Sequence, residues 1–467
     1  MSQEFLPTAK SPSKNLHIET WGCQMNVADS EKILALMEKE QFQLTDTPEN
    51  ADLIVLNTCH IREKARHKVL SRLGVLKELK RQKSDLTIAV AGCVAQAEGK
   101  KLLKQAPTID VLLGPGRLSE LPELLRKHKT EGKQTMAIGF AKPKTDEFAK
   151  ELSCQTSALM PPSLLGKNTI TRFVNIQQGC NNYCTFCVVP FTRGREISYS
   201  PEKIYAQTKA LVQHGGAREI TLLGQNVNSY GLDLQEHHND EKGPFVRLLE
   251  KLVQIPELQR LRFTTSNPHD LNPALAHLFS VEEKLGSYFH LPVQSGSNEI
   301  LSTMKRKVTA EEYLEKISWL RSAKSDMAIS TDLIVGFPGE SEQDFEKTLE
   351  LMHQVQYSFV YAFAYSPRKN TPAIRFKTQV DDKVKSMRLA KLNELQDAIT
   401  TRQNREEIGK NREVLFLYES QKEKGIYYGR TEHFRLVRVK SNRPLLGQTI
   451  AVHIKDANKT ALSGELI

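Results

Sequence analysis

The stretch from Gly179 to Cys187 reads GCNNYCTFC and holds three cysteines, Cys180, Cys184 and Cys187, spaced C-x3-C-x2-C with no fourth. Three thiols are an odd number for disulfides and one short of a closed structural zinc site. No histidine lies between Arg172 and Ser200 to complete such a site. The pair Cys184-x-x-Cys187 alone fits a thiol–disulfide couple, but the third cysteine argues against one. Soft thiolates are preferred ligands of iron–sulfur clusters. Three of them on a cubane of four irons leave one iron free for a small molecule. The missing ligand therefore reads as a coordination position.

Working outward, RFVNIQQ from Arg172 leads into the cysteines as a buried strand. Five more strand candidates follow: REITLLGQN from Arg218, RLRFTTSN from Arg260, YFHLPVQSG from Tyr288, AISTDLIVGF from Ala328 and FVYAFAYS from Phe359. The helices between them carry their own punctuation. Ser200-Pro201 is an N-cap followed by proline, Gly215-Gly216 closes that helix, Thr309 to Glu312 is a capping box, and Ser341 caps another helix. Six βα units predict a partial parallel barrel over 169–380, with its site at the carboxyl ends of the strands. Gln225, Asn226, Ser266, Gln294, Asp332 and Gly336 all fall at that face.

On the N-terminal side, 14–140 alternates apolar runs with amphipathic stretches, which predicts an open parallel α/β layer. LHIETWGC, ADLIVLNTC and LTIAVAGC each read as a strand that ends in a cysteine: Cys23, Cys59 and Cys93. Sites of open parallel sheets form at those ends, so the three thiols are expected to converge. A helix is expected from near Ala28-Asp29-Ser30. Residues 141–168, with paired prolines and Cys154, read as a linker. On the C-terminal side, a connecting helix over 381–404 begins at Asp381, with Val384, Met387, Leu392, Leu395 and Ile399 at helical spacing. Over 405–467, short strands separated by Gly, Asn and Lys predict a small antiparallel β-barrel.

The 467 residues allow two or three domains, and a net charge of +10 favours a polyanionic partner such as RNA. No stretch has signal-peptide or membrane-span character, so a soluble cytoplasmic protein is expected, with its seven cysteines free or bound to metal and no membrane contact.

C-x3-C-x-aromatic-C in the first loop of a six-stranded partial barrel resembles the radical S-adenosylmethionine superfamily. The resemblance implies a 4Fe–4S cluster on Cys180, Cys184 and Cys187. Its open iron would chelate S-adenosylmethionine, and an electron would release a 5′-deoxyadenosyl radical. Phe186 would lie near the adenine, and Gln225, Asn226, Ser266, Gln294, Asp332 and Gly336 would contact the cofactor.

The whole chain is similar to the methylthiotransferases. TWGCQMN at Thr20–Asn26 and CNNYCTFCVVPFTRGRE at Cys180–Glu196 most resemble the tRNA 2-methylthio-6-dimethylallyladenosine synthase family, and the last domain resembles TRAM domains, which bind RNA. The likeness implies an auxiliary 4Fe–4S cluster on Cys23, Cys59 and Cys93, and a methylthio group inserted at carbon 2 of a dimethylallylated adenosine beside the tRNA anticodon. S-adenosylmethionine would serve as both methyl donor and radical source, and the sulfur would come from the auxiliary cluster or from an atom attached to it. A flavodoxin or ferredoxin would supply electrons, and a monomer is expected. Arg193, Arg195 and Arg368 are candidates for substrate or phosphate contact. Arg435 and Arg438, near Tyr428 and Phe434, are candidates for RNA contact. Competing readings are a methylthiotransferase acting on threonylcarbamoyl-adenosine or on a ribosomal-protein aspartate, and a non-catalytic iron–sulfur RNA-binding protein.

Overall fold

The structure, a computed structural model, describes residues 14–59, 63–140, 170–234 and 241–467, with the backbone alone described for 63–66. The expected linker and Cys154 lie outside the described residues. By its contacts the chain divides into two units: residues up to Lys167 together with Phe191–Gly194, and the remainder.

The first unit is built on six parallel strands: β1 (Lys14–Trp21), β2 (Phe42–Leu44), β3 (Leu53–Thr58), β4 (Thr87–Gly92), β5 (Val111–Leu113) and β6 (Thr135–Ala137). Their order is β2-β1-β3-β4-β5-β6, and every pairing is parallel. The strand period of two assigns the core to two faces. Val55, Ala89, Ala91, Val111 and Leu113 pack with Ile33 and Met37 of α1 (Gln24–Lys39) and with Leu121 and Leu125 of α5 (Leu121–Glu131). Ile54, Leu56, Ile88, Val90 and Leu112 pack on the other face with Val69, Leu73 and Leu76 of α2 (Glu63–Gln82), Val94 of α3 (Cys93–Glu98) and Leu102 of α4 (Lys100–Gln105). Three of the strands are only three residues long, too short to show as apolar runs. Helix α1 starts before the expected Ala28. Cys23 caps it in extended geometry, and its carbonyl takes the Asn26 N–H at 2.9 Å.

In the second unit the six expected barrel strands are present: β7 (Thr171–Asn175), β10 (Glu219–Leu223), β11 (Arg260–Phe263), β12 (Tyr288–His290), β13 (Ala328–Val335) and β14 (Phe359–Ala364). They form two parallel three-stranded halves, β11-β10-β7 and β12-β13-β14. A short antiparallel pair, β8 (Gln177–Gln178) with β9 (Ile197–Ser198), clamps the base of the cysteine loop. The Ser200, Thr309 and Ser341 caps form as expected, the last two as full capping boxes.

Asp381 caps the long helix Asp382–Arg405. The buried face of that helix is largely polar, with Lys385, Arg388, Leu392, Gln396 and Ile399 on it, while Met387 points to solvent. Buried Arg388 meets the Glu340 carboxylate at 2.7 Å, so this face is held by ion pairs where apolar packing was expected. The terminal barrel closes with five strands: β15 (Asn411–Glu419), β16 (Ile426–Thr431), β17 (Leu436–Lys440), β18 (Thr449–Ala457) and β19 (Leu462–Leu466). All its pairings are antiparallel except β17 with β19, because the short last strand enters between β17 and β18 to close the ring. No helix among the described residues is long and apolar enough to cross a membrane.

The turn after β16 docks on the amino ends of β10, β11 and β12. The Glu219 carboxylate, 2 % exposed, holds Arg262 at 2.8 Å and Arg260 at 3.7 Å. Those guanidiniums also donate to the Thr431 carbonyl at 3.0 and 3.2 Å. Phe434 stacks on Tyr288 at 4.8 Å. Removing Glu219 leaves two buried cations without their carboxylate, a loss on the scale of a broken buried pair. Glu219→Gln is expected to lower unfolding free energy by about 3 kcal/mol in urea denaturation. A change of less than about 0.5 kcal/mol, the size typical of surface substitutions, would contradict this role.

Candidate iron–sulfur sites and their surroundings

Cys23, Cys59 and Cys93 follow β1, β3 and β4, which are neighbours in the sheet. The register pairs Trp21 with Thr58 and Thr58 with Gly92, so the three chain exits lie side by side. The order 2-1-3-4-5-6 reverses direction between β1 and β3, where open α/β sheets form their binding crevice. Two glycines permit the close approach. A Cβ on Gly22 would stand 2.7 Å from the Cys59 Cβ, and one on Gly92, at φ +93°, would stand 2.5 Å from the Thr58 carbonyl oxygen.

The electrostatics of this group are set by a buried cation. Arg193, from Phe191–Gly194, pairs with Asp29 at 2.7 Å, and both side chains are below a tenth exposed. Cys59 and Cys93 are buried and Cys23 is exposed at the edge of the group. A hydrogen bond with Cys59 does most to bring the Cys23 thiol down to about 6; partial desolvation opposes this, and Arg193 and the N–H groups of Asn26 and Met25 assist. The start of α1 adds the positive end of a helix dipole. Burial pushes the Cys93 thiol up, against the pull of Arg193. Arg193 was expected to meet substrate or phosphate. In the structure it is buried and bonded to Asp29 instead.

In the second unit, Cys180 and Cys184 are buried and Cys187 half-buried. Each sulfur accepts from a nitrogen. Cys180 takes the backbone and side-chain N–H groups of Asn182 at 3.5 Å, Cys184 takes Arg306 at 3.8 Å, and Cys187 takes the Val189 N–H at 3.5 Å. The loop is tied down by Gly179 N–H to Gln225, Thr185 N–H to the Met304 carbonyl at 3.0 Å, and Ala373 N–H to the Thr185 carbonyl at 3.0 Å. Burial, with the Cys184 charge adding to it, pushes Cys180 up to about 11 and Cys187 up to about 12. Thiolates so placed need a cationic partner. Among the described residues no group of three or more His, Cys, Asp or Glu is arranged around a single metal ion. A cubane asks for a different geometry, because each thiolate binds its own iron. Three clustered sulfurs with N–H donors and no fourth ligand fit that group.

Beside this loop, at the carboxyl ends of β7, β10 and β11, four buried polar atoms have no hydrogen-bond partner among the described residues: Asn175 Oδ1, Gln177 Oε1, Asn226 Oδ1 and Ser266 Oγ. Such groups call for a polar ligand or water. The Asn226 amide donates to Asp270 at 2.7 Å, so its free oxygen is held in place. Gln177 and Arg306 were not picked out from the sequence, since neither belongs to the cysteine motif or to a recognisable spacing.

The other expected positions divide. Phe186 leans edge-on against Phe337 at 6.3 Å in an apolar cluster with Met304 and Tyr365. Gln294, at φ +85°, exchanges backbone bonds with Asp332 and Ile334 at 3.0 and 2.9 Å. Asp332 faces His290 at 3.5 Å, its carboxyl pushed up and the imidazole pushed down by burial. The Gly336 N–H is taken by Glu340 at 2.6 Å, which leaves it no donor for a ligand. Arg195 is exposed and Arg368 half-buried. Half-buried Arg435 bonds to Asn404 and Gln403, and half-buried Phe434 stacks on Tyr288. Arg438 is half-buried and pairs with Glu423 at 2.9 Å. The register aligns it with Tyr428, and Tyr428 with Tyr418, whose rings stack at 5.2 Å.

Residues 174–352 match the Radical SAM superfamily, 405–467 the TRAM domain, and 15–114 the Uncharacterized protein family UPF0004. The fold is similar to a solved radical S-adenosylmethionine methyltransferase, TsrM from Kitasatospora setae, with a TM-score of 0.56 at 12% identity over 78% of this chain and 74% of that one. Fold and cysteine loop together define a radical S-adenosylmethionine enzyme. Proteins named tRNA-2-methylthio-N(6)-dimethylallyladenosine synthase are similar along nearly the whole chain. The one from Maricaulis maris is 42% identical, covering 97% of each chain; that from Ehrlichia ruminantium is 40% identical, covering 97% of this chain and 98% of its own; that from Clostridium botulinum is 41% identical, covering 96% of each. The chain belongs to the tRNA-2-methylthio-N(6)-dimethylallyladenosine synthase family.

The Arg193–Asp29 pair is testable by a double-mutant cycle. Arg193→Met and Asp29→Asn each strand a buried partner and are expected to cost about 3 kcal/mol, whereas the double variant costs less than either. Additive losses in urea denaturation would show that the two side chains do not depend on each other.

Proposed function

We propose that this protein is a tRNA methylthiotransferase that places a methylthio group on carbon 2 of 6-dimethylallyladenosine beside the anticodon. The observation that carries the reading is the pair of cysteine triplets, one gathered by three parallel strand ends and one held in a single loop, in a chain similar to the named synthases over nearly its whole length. That full-length likeness favours the dimethylallyl substrate over the threonylcarbamoyl and ribosomal-protein alternatives. It also favours an enzyme over a non-catalytic RNA-binding protein.

In this reading Cys180, Cys184 and Cys187 hold one 4Fe–4S cluster, and Cys23, Cys59 and Cys93 a second. When bound, the clusters and S-adenosylmethionine supply the one-electron chemistry and the methylthio sulfur that an aromatic C–H bond requires. The chain's own groups do the rest. Arg306, Asn182 and the Val189 N–H direct donors at the three loop sulfurs, a lever on reduction potential. Gln225 fixes the loop through Gly179. Asn226, Ser266 and Gln177 offer their free oxygens to the polar groups of S-adenosylmethionine. Arg193 offsets thiolate charge at the second triplet. Tyr418, Tyr428 and Arg438 form a stacking and phosphate-contacting row for tRNA, and exposed Arg195 adds a cation near the loop. The reading also needs a low-potential electron donor of the flavodoxin or ferredoxin type.

Mass spectrometry of nucleosides from a dimethylallylated anticodon hairpin, incubated with reconstituted protein, reductant and S-adenosylmethionine, tests the reading. The wild type is expected to form the methylthio nucleoside. Cys180→Ala should abolish 5′-deoxyadenosine release, whereas Cys59→Ala should retain release and lose methylthiolation. Methylthiolation at the normal rate by Cys59→Ala would contradict the role of the second triplet.

A further inference from the structure

The last barrel strand carries three aromatic side chains that remain exposed on one side. Phe359, Tyr361 and Phe363 are 47%, 43% and 38% exposed. Their intervening neighbour Val360 is buried, so the strand's alternation assigns the aromatics to a single face. The register identifies that face. Phe359 lies opposite Ser330, Tyr361 opposite Asp332, and Phe363 opposite Ile334, while Ser330 in turn lies opposite His290. Ser330 and His290 bond to each other at 2.8 Å, and His290 meets the Tyr361 ring edge-on at 5.7 Å. The helices cover the other side of the sheet, as with Phe289, which packs on Phe279. The three aromatics therefore face the inside of the partial barrel.

The two ends of this ladder differ. Beyond Phe363, Tyr365 is buried against Phe337, and Phe337 against Phe186, the residue between Cys184 and Cys187. Phe363 is thus the end toward the cysteine loop, and Phe359 the end away from it, touching Tyr361 at 4.6 Å. Four residues of strand span about 13 Å at ~3.3 Å each. The charges beside the ladder are not arranged for an anion. Asp332 is a carboxylic group, and the cations near it are engaged: Arg306 donates to Cys184 at 3.8 Å and to the Pro292 carbonyl, and Arg430 lies 4.0 Å over the Phe434 ring and donates to its carbonyl at 2.7 Å. A contiguous exposed apolar strip inside a barrel is a binding surface for an apolar group.

We propose that Phe359, Tyr361 and Phe363 form the subsite that receives the dimethylallyl chain on the substrate adenine, with the base edge toward the cysteine loop and the chain lying along the ladder. This rests on the reading of the substrate given above and supplies its selectivity. The five-carbon chain is neutral, branched and unsaturated, and suits aromatic faces and edges. A threonylcarbamoyl chain would bring its carboxylate against Asp332 and the aromatic rings, a cost in desolvation and repulsion.

The test measures binding of two synthetic anticodon hairpins, identical but for the dimethylallyl group, by fluorescence anisotropy. The full-length protein is used. The wild type is expected to bind the dimethylallyl hairpin more tightly. In Tyr361→Ala and Phe363→Ala the ratio of the two affinities should fall by about ten-fold, the scale of one lost aromatic contact with the area it buries. Tyr361→Phe should keep the ratio. Should an alanine variant fail to fold, Tyr361→Gln and Phe363→Gln, which keep bulk but add polarity, are expected to lower the ratio in the same way. Variants that retain the wild-type ratio would overturn the ladder subsite while leaving the function standing. A wild type with no preference, together with no methylthio product from the dimethylallyl hairpin, would overturn both.

Discussion

Parallel strand pairing is the constraint on which the rest of this molecule depends. A parallel sheet sends every chain exit to one edge, so residues far apart in sequence meet there without any loop being built to join them. Cys23, Cys59 and Cys93 span seventy residues of chain, yet they leave three neighbouring strands at matched heights. The second unit uses the same rule on a curved sheet. There the three sulfurs are local in sequence, and the parallel strands instead bring up their surroundings: Asn175, Asn226 and Ser266 from three strand ends, and Gln225 to anchor the loop. The two triplets are thus alike in count and unlike in construction.

Burial then decides what each triplet can tolerate. At the loop, desolvation drives Cys180 and Cys187 toward the neutral thiol, and the N–H groups aimed at the sulfurs only partly oppose it. Beside the first triplet a guanidinium is buried, and Asp29 keeps Arg193 charged there. A charge in that position is expensive unless paired. The same economy of charge appears at the barrel's amino ends, where Glu219 serves two arginines whose remaining N–H groups seat the terminal barrel through backbone carbonyls. That terminal barrel is therefore anchored to the catalytic barrel by buried polar bonds and one ring stack.

Long apolar runs and capping signals were readable without coordinates. The six barrel strands, the Thr309 and Ser341 caps and the three cysteine-terminated strands stand where LHIETWGC, ADLIVLNTC and the later runs put them. The side chains whose placement differs from the sequence reading share a cause. Arg193 and Arg435 look like surface cations in sequence, because basic residues mostly are. Their partners, Asp29 and Asn404, lie 164 and 31 residues away and leave no local trace. Phe434 stacks on a ring that arrives from Tyr288, and Met387 turns outward because the buried face of its helix is organised by Arg388 and Lys385. Side chains set by contacts between distant elements are invisible to periodicity, whereas those set by the strand's own alternation, such as Phe359, Tyr361 and Phe363, become interpretable once the register is known.

The proposed function requires two separate cysteine triplets, each holding its own cubane. The most direct measurement is iron and acid-labile sulfide per chain after anaerobic reconstitution, for the wild type and for two triple variants that replace either Cys23, Cys59 and Cys93 or Cys180, Cys184 and Cys187 by alanine. Two cubanes predict about eight irons in the wild type and about four in each triple variant. A wild type that saturates at about four irons, or a triple variant that keeps the wild-type content, would contradict it.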